Sequence, residues 1–491
     1  MNNLIYRRQF ILSSKELVPL SHWQHLRLNN NRYIVYAHPD LELAEIKDAG
    51  KRIILLGYIF DAQNPRYSNY DILKELISAQ SFRELIKATY RYAGRFVLIF
   101  EDGSSAKLMH DCAGLRQIYY TTGIKEVWCG SQPSILARFL NLEKSSNKAL
   151  NDFCNSKEFK SRHKAWAGDG TIYDNIKHLM PNHYLDLGSG ENHRYWPEET
   201  IGEMSIDAAV GVSTEYLKGF IKCASERYKL MQAVTAGWDT RVLLAASREK
   251  KDEIFYFINK HKYLRDESPD IRVPRRLLDK LGLEFNVIEY SHDVDDEFRS
   301  IFKKNVTLSR ETLLPAIYNV YYMQFPNMLN ISGDASGIVR NYFDETDCAD
   351  NRMLAELAGY ENLEYPMQEY TKWLERSCDV AKEHDVSILD LFYWEERMGN
   401  WGALGPAETD IAIEEFSPFN CRDLLTVMLS VNEKFRDMYS SKLYEEMVKE
   451  MWSEALSEPV NPSARFALIR ILKKLRLYPT VRYFCRKILD K

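Results

Sequence analysis

Residues 233–246 read AVTAGWDTRVLLAA and place two hydroxyls, a glycine and a single carboxylate within six positions: Thr235, Ala236, Gly237, Trp238, Asp239 and Thr240. The preceding run MQAVT has strand character. The following Val242, Leu243, Leu244, Ala245 and Ala246 suit a helix buried over much of its surface. A strand, a small-residue turn and a helix N-terminus together turn backbone N–H groups and the positive end of a helix dipole toward an anion. Phosphate is the anion such a cradle suits, and Asp239 should then repel it. A divalent cation between the two resolves the conflict, which makes Asp239 a candidate metal ligand. The alternative on the same residues is an ordinary strand-to-helix turn with Asp239 as a capping acid.

The elements that must position this turn follow from patterning. Residues 1 to roughly 200 carry short strand-like runs: RYIVYA, RIILLGYIFD, GRFVLIFEDG, AKLMHD, IYYTT, VWCG and HYLDL. One helix-like stretch, YDILKELISAQSFRELIKATYRYA (70–93), interrupts them. Runs separated by turn signals predict packed antiparallel sheets. RYWPEETIGEMS (194–205) marks the crossing into a second half. There MQAVT, a helix near 240–248, the strand EIFYFIN (253–259), the helix PDIRVPRRLLDKLG (269–282), the strand EFNVIEY and the strand NMLNISG (327–333) alternate. That order predicts a parallel sheet covered by helices. Ligands of such sheets bind at the carboxyl ends of strands, where both TAGWD and ISGDASG fall. From about residue 350 the chain reads as mostly helical.

Composition sets bounds. A chain of 491 residues accommodates about two to four domains. With 45% hydrophobic and 27% charged residues it is globular in character. A net charge of −5 argues against a general nucleic-acid binder. The eight cysteines are scattered without a C-x-x-C, a pattern of free thiols in a reducing compartment. The N-terminus shows no apolar signal-peptide segment, and no apolar stretch reaches membrane-spanning length. The expectation is a cytoplasmic protein that is not transmembrane. The histidines lack metal spacing and read as structural.

TAGWDT resembles the S-G-G-x-D-S loop of the ATP pyrophosphatases, and its surroundings resemble the asparagine synthetase-like family, of the asparagine synthetase B and β-lactam synthetase type. GRFVLIFEDGSSAKLMHDCAGLRQIYY (94–120) is similar to the family's class II glutamine amidotransferase domain, with a D-x-x-G-x-x-x-x-Y feature at Asp111, Gly114 and Tyr119. GDGTIYDNIKHLMPNHYLDL (168–187) is similar to the segment before the synthetase domain. ISGDASG resembles L-S-G-E-G-x-D-E, and EEFSPFNCRDLL (414–425) resembles E-x-R-x-P-F-L-D. The resemblance implies an α/β protein: an Ntn-type αββα sandwich over 1–200, then an ATP-pyrophosphatase (adenine nucleotide alpha hydrolase-like) parallel-sheet domain with a helical C-terminal part over 201–491.

The implied activity is an ATP- and Mg2+-dependent ligase. It would activate a small-molecule or carrier-linked carboxylate as an acyl-adenylate and form an amide with ammonia or a substrate amine, releasing AMP and pyrophosphate. On this resemblance Thr235, Ala236, Gly237, Trp238, Thr240, Gly333 and Asp270 bind the nucleotide, and Asp239 also holds magnesium. Asp334 and Lys442 act in catalysis, a lysine being the tool for negative charge developing on an adenylate. Arg241 either reaches a phosphate or pairs with a surface acid. Tyr342 lies near a family tyrosine.

Two departures matter. Residue 2 is Asn2 where glutamine-hydrolysing relatives carry a nucleophilic cysteine, and the first cysteine is Cys112. An amide cannot be that nucleophile, so the first domain is expected to be a scaffold without glutaminase activity, its nitrogen coming from ammonia, a partner or an amine on the substrate. The family's second Asp-Glu pair is Gly337-Ile338 here, with Asp344 and Glu345 as candidate replacements. An intramolecular amide or lactam cyclase and a catalytically inactive nucleotide-binding scaffold are the alternatives. The tail 464–491, rich in Arg and Lys, reads as an amphipathic helix with a basic face, either packed on its own domain or docking an anionic carrier, membrane or glycan.

Overall fold

The structure, a computed structural model, describes residues 2–29, 32–103, 105–343, 349–463, 467–469, 471–472 and 475. The first half is built from two six-stranded antiparallel sheets. One runs Ile176–His178, Tyr119–Thr121, Cys129–Gly130, Phe10–Ser13, Ile34–Ala37, Gln24–Arg27; the other Asn192–Arg194, His183–Asp186, Ser105–His110, Tyr92–Asp102, Lys51–Asp61, Leu43–Asp48. Successive side chains of a strand point to opposite faces. Ile54, Leu56, Val97 and Ile99 therefore meet Phe10, Leu12 and Val35 between the sheets. Ile53, Leu55, Phe96 and Leu98 face outward and are covered by the helices Asn69–Leu76 and Phe82–Thr89. The helix Pro133–Leu140 covers the other sheet through Ile135 and Leu136. The layers are helix, sheet, sheet, helix. Burial on both faces is why these strands read as continuous apolar runs.

The single helix expected over 70–93 is two. Ser81 caps the second through the backbone N–H of Glu84 at 3.2 Å, and Tyr92 already belongs to a strand. A serine offering its hydroxyl to the next helix start ends the first helix even though the apolar period continues.

The helix Ile206–Arg227 leads into the second half. Its sheet is all parallel, in the order Asn286–Glu289, Ile254–Lys260, Lys229–Ala233, Met328–Ile331, Glu414–Phe416. Leu230 and Leu329 pack toward the helices Trp238–Ala246 and Pro269–Lys280; Met231 and Phe257 pack on the opposite face with Ile413. The strand Glu414–Phe416 lies in a region expected to be helical. It is three residues long, too short for a period to register. The protein is thus a mixed α/β chain with antiparallel sheets, a parallel sheet and a helical C-terminal part. The described cysteines are free thiols, and no helix among the described residues is long and apolar enough to cross a membrane.

A buried charge cluster ties the halves together. Arg95, from the strand Tyr92–Asp102, holds Asp410 through both terminal nitrogens at 2.6 and 2.7 Å. Arg116 reaches Asp410 at 3.4 Å and Glu414 at 2.9 Å, and Arg8 donates to the Asp410 carbonyl at 2.7 Å. Removing one partner of such a cluster leaves uncompensated buried charge. Asp410→Ala is expected to cost about 3–5 kcal/mol, measured as a lowered urea midpoint followed by tryptophan fluorescence.

Candidate functional site

The first three strands of the parallel sheet step outward in one direction from Lys229–Ala233; the chain then returns to place Met328–Ile331 on its other side. This reversal opens a crevice at the strand ends. The loops after these two strands, 234–237 and 332–335, meet there. A Cβ at Gly333 would lie 2.8 Å from the Asp239 Cβ, so only glycine permits the approach.

The first loop is held by its own hydroxyls. Thr240 Oγ1 accepts the Thr235 N–H at 3.1 Å and lies 3.1 Å from Thr235 Oγ1, which accepts the Gly237 N–H at 3.2 Å. Asp270, at the start of its helix, accepts the Ala236 N–H at 3.0 Å. Three loop donors are thereby committed internally, and the first-turn N–H groups of the Trp238–Ala246 helix are those its geometry leaves for a ligand. Asn461 closes on the loop from the C-terminal side, its N–H donating to the Ala236 carbonyl at 2.8 Å.

Asp239 has specific partners. Arg340 Nη1 lies 2.9 and 3.1 Å from its two oxygens, and Ser336 Oγ donates to it at 2.8 Å. Arg340 also donates to the Met438 carbonyl at 2.9 Å. A guanidinium thus stands on the carboxylate that was expected to face a metal. The lost second acid has no space to return, because a Cβ at Gly337 would lie 2.1 Å from the Tyr393 hydroxyl and 2.6 Å from its Cζ. Among the described residues no group of three His, Cys, Asp or Glu side chains is placed to hold a metal, and Asp344 and Glu345 lie outside the described residues.

Asp334 is partly buried; its carboxylate accepts the Ser332 hydroxyl at 3.0 Å, and its carbonyl accepts from Ser417. Ala335 occupies the second glycine of the family pattern and keeps the left-handed conformation, φ 68°, that bends the loop. Burial raises the Asp334 carboxyl, opposed by the Ser332 bond and the Arg310 charge, with Asp239 adding to the rise. Glu415, on the neighbouring strand, is pushed up to about 7 by burial and by the charge of Asp334. The two acids form a pair that does not ionise together readily.

The other expected residues fall as follows. Trp238 is buried in the core beneath the loop. Lys442 opens the helix Lys442–Trp452, but its ammonium lies 2.5 Å from Glu446 and 3.4 Å from Glu445 on the exposed face of that helix. That helix reaches the site instead through Tyr444, whose hydroxyl donates to the Ser336 carbonyl at 2.8 Å. Arg241 meets neither phosphate nor a surface acid: buried, it donates to the carbonyls of Ala455 at 2.7 Å and Glu458 at 2.8 Å, anchoring the segment that carries Asn461. Asp111 accepts the N–H groups of Leu115 and Arg116, which folds the turn that aims Arg116 at the interface. The tail lies almost entirely outside the described residues, and nothing is described of the Asn2 side chain. Arg340, Tyr393, Ser336 and Glu415 were not anticipated. Only Arg340 left a local signal, a cation three residues after the missing acid.

No family profile matches the chain, and no curated protein does. Among solved structures it is similar to the glutamine phosphoribosylpyrophosphate amidotransferase from B. subtilis complexed with ADP and GMP, at 8% identity over 58% of this chain and 66% of that one, TM-score 0.25. It is also similar to one described as the allosteric regulatory enzyme of purine biosynthesis, at 8% identity over 62% and 75%, TM-score 0.26. The chain therefore spans just under two thirds of the first of these. A likeness at this level assigns neither family nor activity.

Two outcomes follow from the geometry. Gly337→Ala forces the Tyr393 ring to move and is expected to cost about 1–3 kcal/mol, read by denaturant titration. Glu415 holds a proton in the folded state up to about pH 7, which the unfolded chain releases near its ordinary 4.5. The folded state then binds more protons than the unfolded one in that window, so this group's contribution to stability declines as pH rises through it. In Glu415→Gln the fall in urea midpoint between about pH 5 and about pH 7 should be smaller than in the wild type.

Proposed function

We propose that this chain is an asparagine synthetase-like, ATP-dependent ligase that activates a substrate carboxylate as an acyl-adenylate and forms an amide with ammonia or an amine, releasing AMP and pyrophosphate. The observation that carries the reading is the hydroxyl-lined strand–loop–helix turn at the sheet's reversal, facing a second loop with a partly buried acid, Asp334. A carboxylate is a poor electrophile because oxide is a poor leaving group. Transfer of an adenylyl group makes AMP the leaving group, and the departing pyrophosphate then needs donors and positive charge. On this reading Thr235, Gly237 and Thr240 shape the cradle, the helix N-terminus supplies donors, and Arg340 supplies the fixed cation that Asp239 orients. With Asn at position 2 the nitrogen comes from ammonia, a partner or the substrate itself, and the sandwich half serves as scaffold.

One observation favours a second reading. Arg340 sits on Asp239 while Asn461 covers the loop, which also suits a nucleotide-binding scaffold without turnover. Pyrophosphate and AMP release from ATP, measured against pooled carboxylic acids with and without magnesium, separates the two. The ligase reading expects acid-dependent release that drops by about 100-fold or more in Asp239→Ala. ATP binding by calorimetry without release under any acid supports the scaffold, and absence of both refutes the nucleotide site.

A further inference from the structure

Behind the Tyr393 ring lies a cavity of about 230 Å³, lined among others by Arg162, His163, Trp166, Tyr342, Arg397 and Trp401. Its centre of charge is Arg397, carried on the π-helical segment Tyr393–Gly402, a backbone form frequent at functional sites. The guanidinium lies 4.4 Å from the Trp401 ring centroid, 4.9 Å from Tyr342 and 5.8 Å from Tyr393. Its Nε–H is buried and has no hydrogen-bond partner. Several other arginines are matched by acids, as Arg95 is by Asp410, Arg310 by Glu408 and Arg436 by Asp390, while buried Arg241 and Arg422 are held by carbonyl and hydroxyl oxygens. Among the described residues Arg397 has no acid in ion-pair contact; it meets the rings and the Tyr393 hydroxyl.

Among the described residues the one acid lining this cavity is Glu396, which forms no ion pair with Arg397. Its carboxyl accepts the Gly168 N–H at 2.8 Å and the Asn400 side-chain amide at 3.4 Å. Burial pushes it up to about 8, held back by the Gly168 bond, so it is mostly uncharged at neutral pH. Arg162 adds a second guanidinium at the cavity. A cationic fork between flat rings offers planar, two-point recognition of a carboxylate and stacking surface for the ring that bears it.

We infer that this cavity binds a small carboxylic acid built on a ring, its carboxylate on Arg397 and its ring against the aromatic lining, which includes Trp166, Tyr360 and Tyr370. The chemistry is shared by aromatic acids and by pyranose acids. Tyr393 connects the lining residue Tyr342 to the second loop: its ring meets Tyr342 in a tilted contact at 4.8 Å, and its hydroxyl closes the space at Gly337. That the bound acid is the ligase substrate rests on the function proposed above; that it binds does not.

The test is calorimetric binding of benzoate, 4-hydroxybenzoate and glucuronate to the full chain without ATP, with benzamide as the uncharged control. Saturable binding of an aromatic or a pyranose acid is expected, identifies which ring is accepted, and should weaken by about 10- to 100-fold in Arg397→Gln. Arg397→Lys, which keeps the charge and loses the fork, should retain weaker binding, and circular dichroism melts of both variants report whether the fold persists. No binding of any of the three acids at millimolar concentration overturns the inference. So does binding that is equal for benzamide, or unchanged in a folded Arg397→Gln. Acid-dependent pyrophosphate release that is indifferent to Arg397 would overturn the cavity assignment while sustaining the ligase. Acid binding at Arg397 without release would sustain the cavity and remove the acid's role as substrate.

Discussion

The cluster of Arg8, Arg95 and Arg116 around Asp410 and Glu414 is the constraint from which the rest of the molecule is arranged. Its cations come from the N-terminal segment, from a central strand of the antiparallel half and from the turn folded by Asp111. Its acids come from the end of a helical region and from the first residue of the last parallel strand. Arg95, Arg116 and Asp410 are buried and Arg8 and Glu414 are partly buried, so removing one leaves charge that water cannot fully compensate. The two halves are therefore fixed by charges each of which needs a partner from the other half. Asn420 reinforces the junction, donating to the Gly94 carbonyl at 2.7 Å and to Asp111 at 2.8 Å while accepting the Ala113 N–H at 2.9 Å.

That junction also sets the chemistry of the crevice. Successive residues of a strand face opposite ways, so Glu414 turns into the arginine cluster and Glu415 turns toward Asp334. The first is partly buried yet held below the usual carboxylate range by Arg116, Arg8 and Arg95. The second is raised to about 7 by burial beside another acid. Adjacent glutamates on a three-residue strand thus carry opposite charge preferences because of the faces they occupy. A shift of one residue in register would exchange them, leaving the arginines without an anion and the crevice with an extra one.

What could be read in advance was what depends on neighbours in the chain. The Thr235–Thr240 turn, the alternation of strands and helices around it and the Gly333 strand end are local patterns, and the sandwich strands announced themselves as apolar runs. Less visible was anything made by partners distant in sequence. Tyr393 lies 56 residues beyond Gly337, and nothing in its surroundings WEERMGNW marks it as the group that fills the missing acid's space. Lys442 had the right type in the right place, yet acids three and four residues along its own helix claim its charge. Arg241 followed the loop closely enough to suggest a phosphate ligand, and burial turned it instead to backbone carbonyls.

The changes around Asp239 make sense as a set. Two carboxylates around one divalent cation sum to no net charge, and so do one carboxylate and one guanidinium. Against the acid-bearing pattern that the loop resembles, Gly337 together with Arg340 on Asp239 keeps that balance with a cation that is covalently part of the chain. The exchange is not equivalent in geometry. A hydrated cation adjusts its ligands as phosphates arrive, whereas Arg340 is anchored by the Met438 carbonyl on one nitrogen and Asp239 on another, with Tyr444 5.7 Å away across its face. A tethered guanidinium is permanently present and directionally fixed. Tyr393 closes the space a second acid would need, so reverting residue 337 alone cannot rebuild the two-acid arrangement.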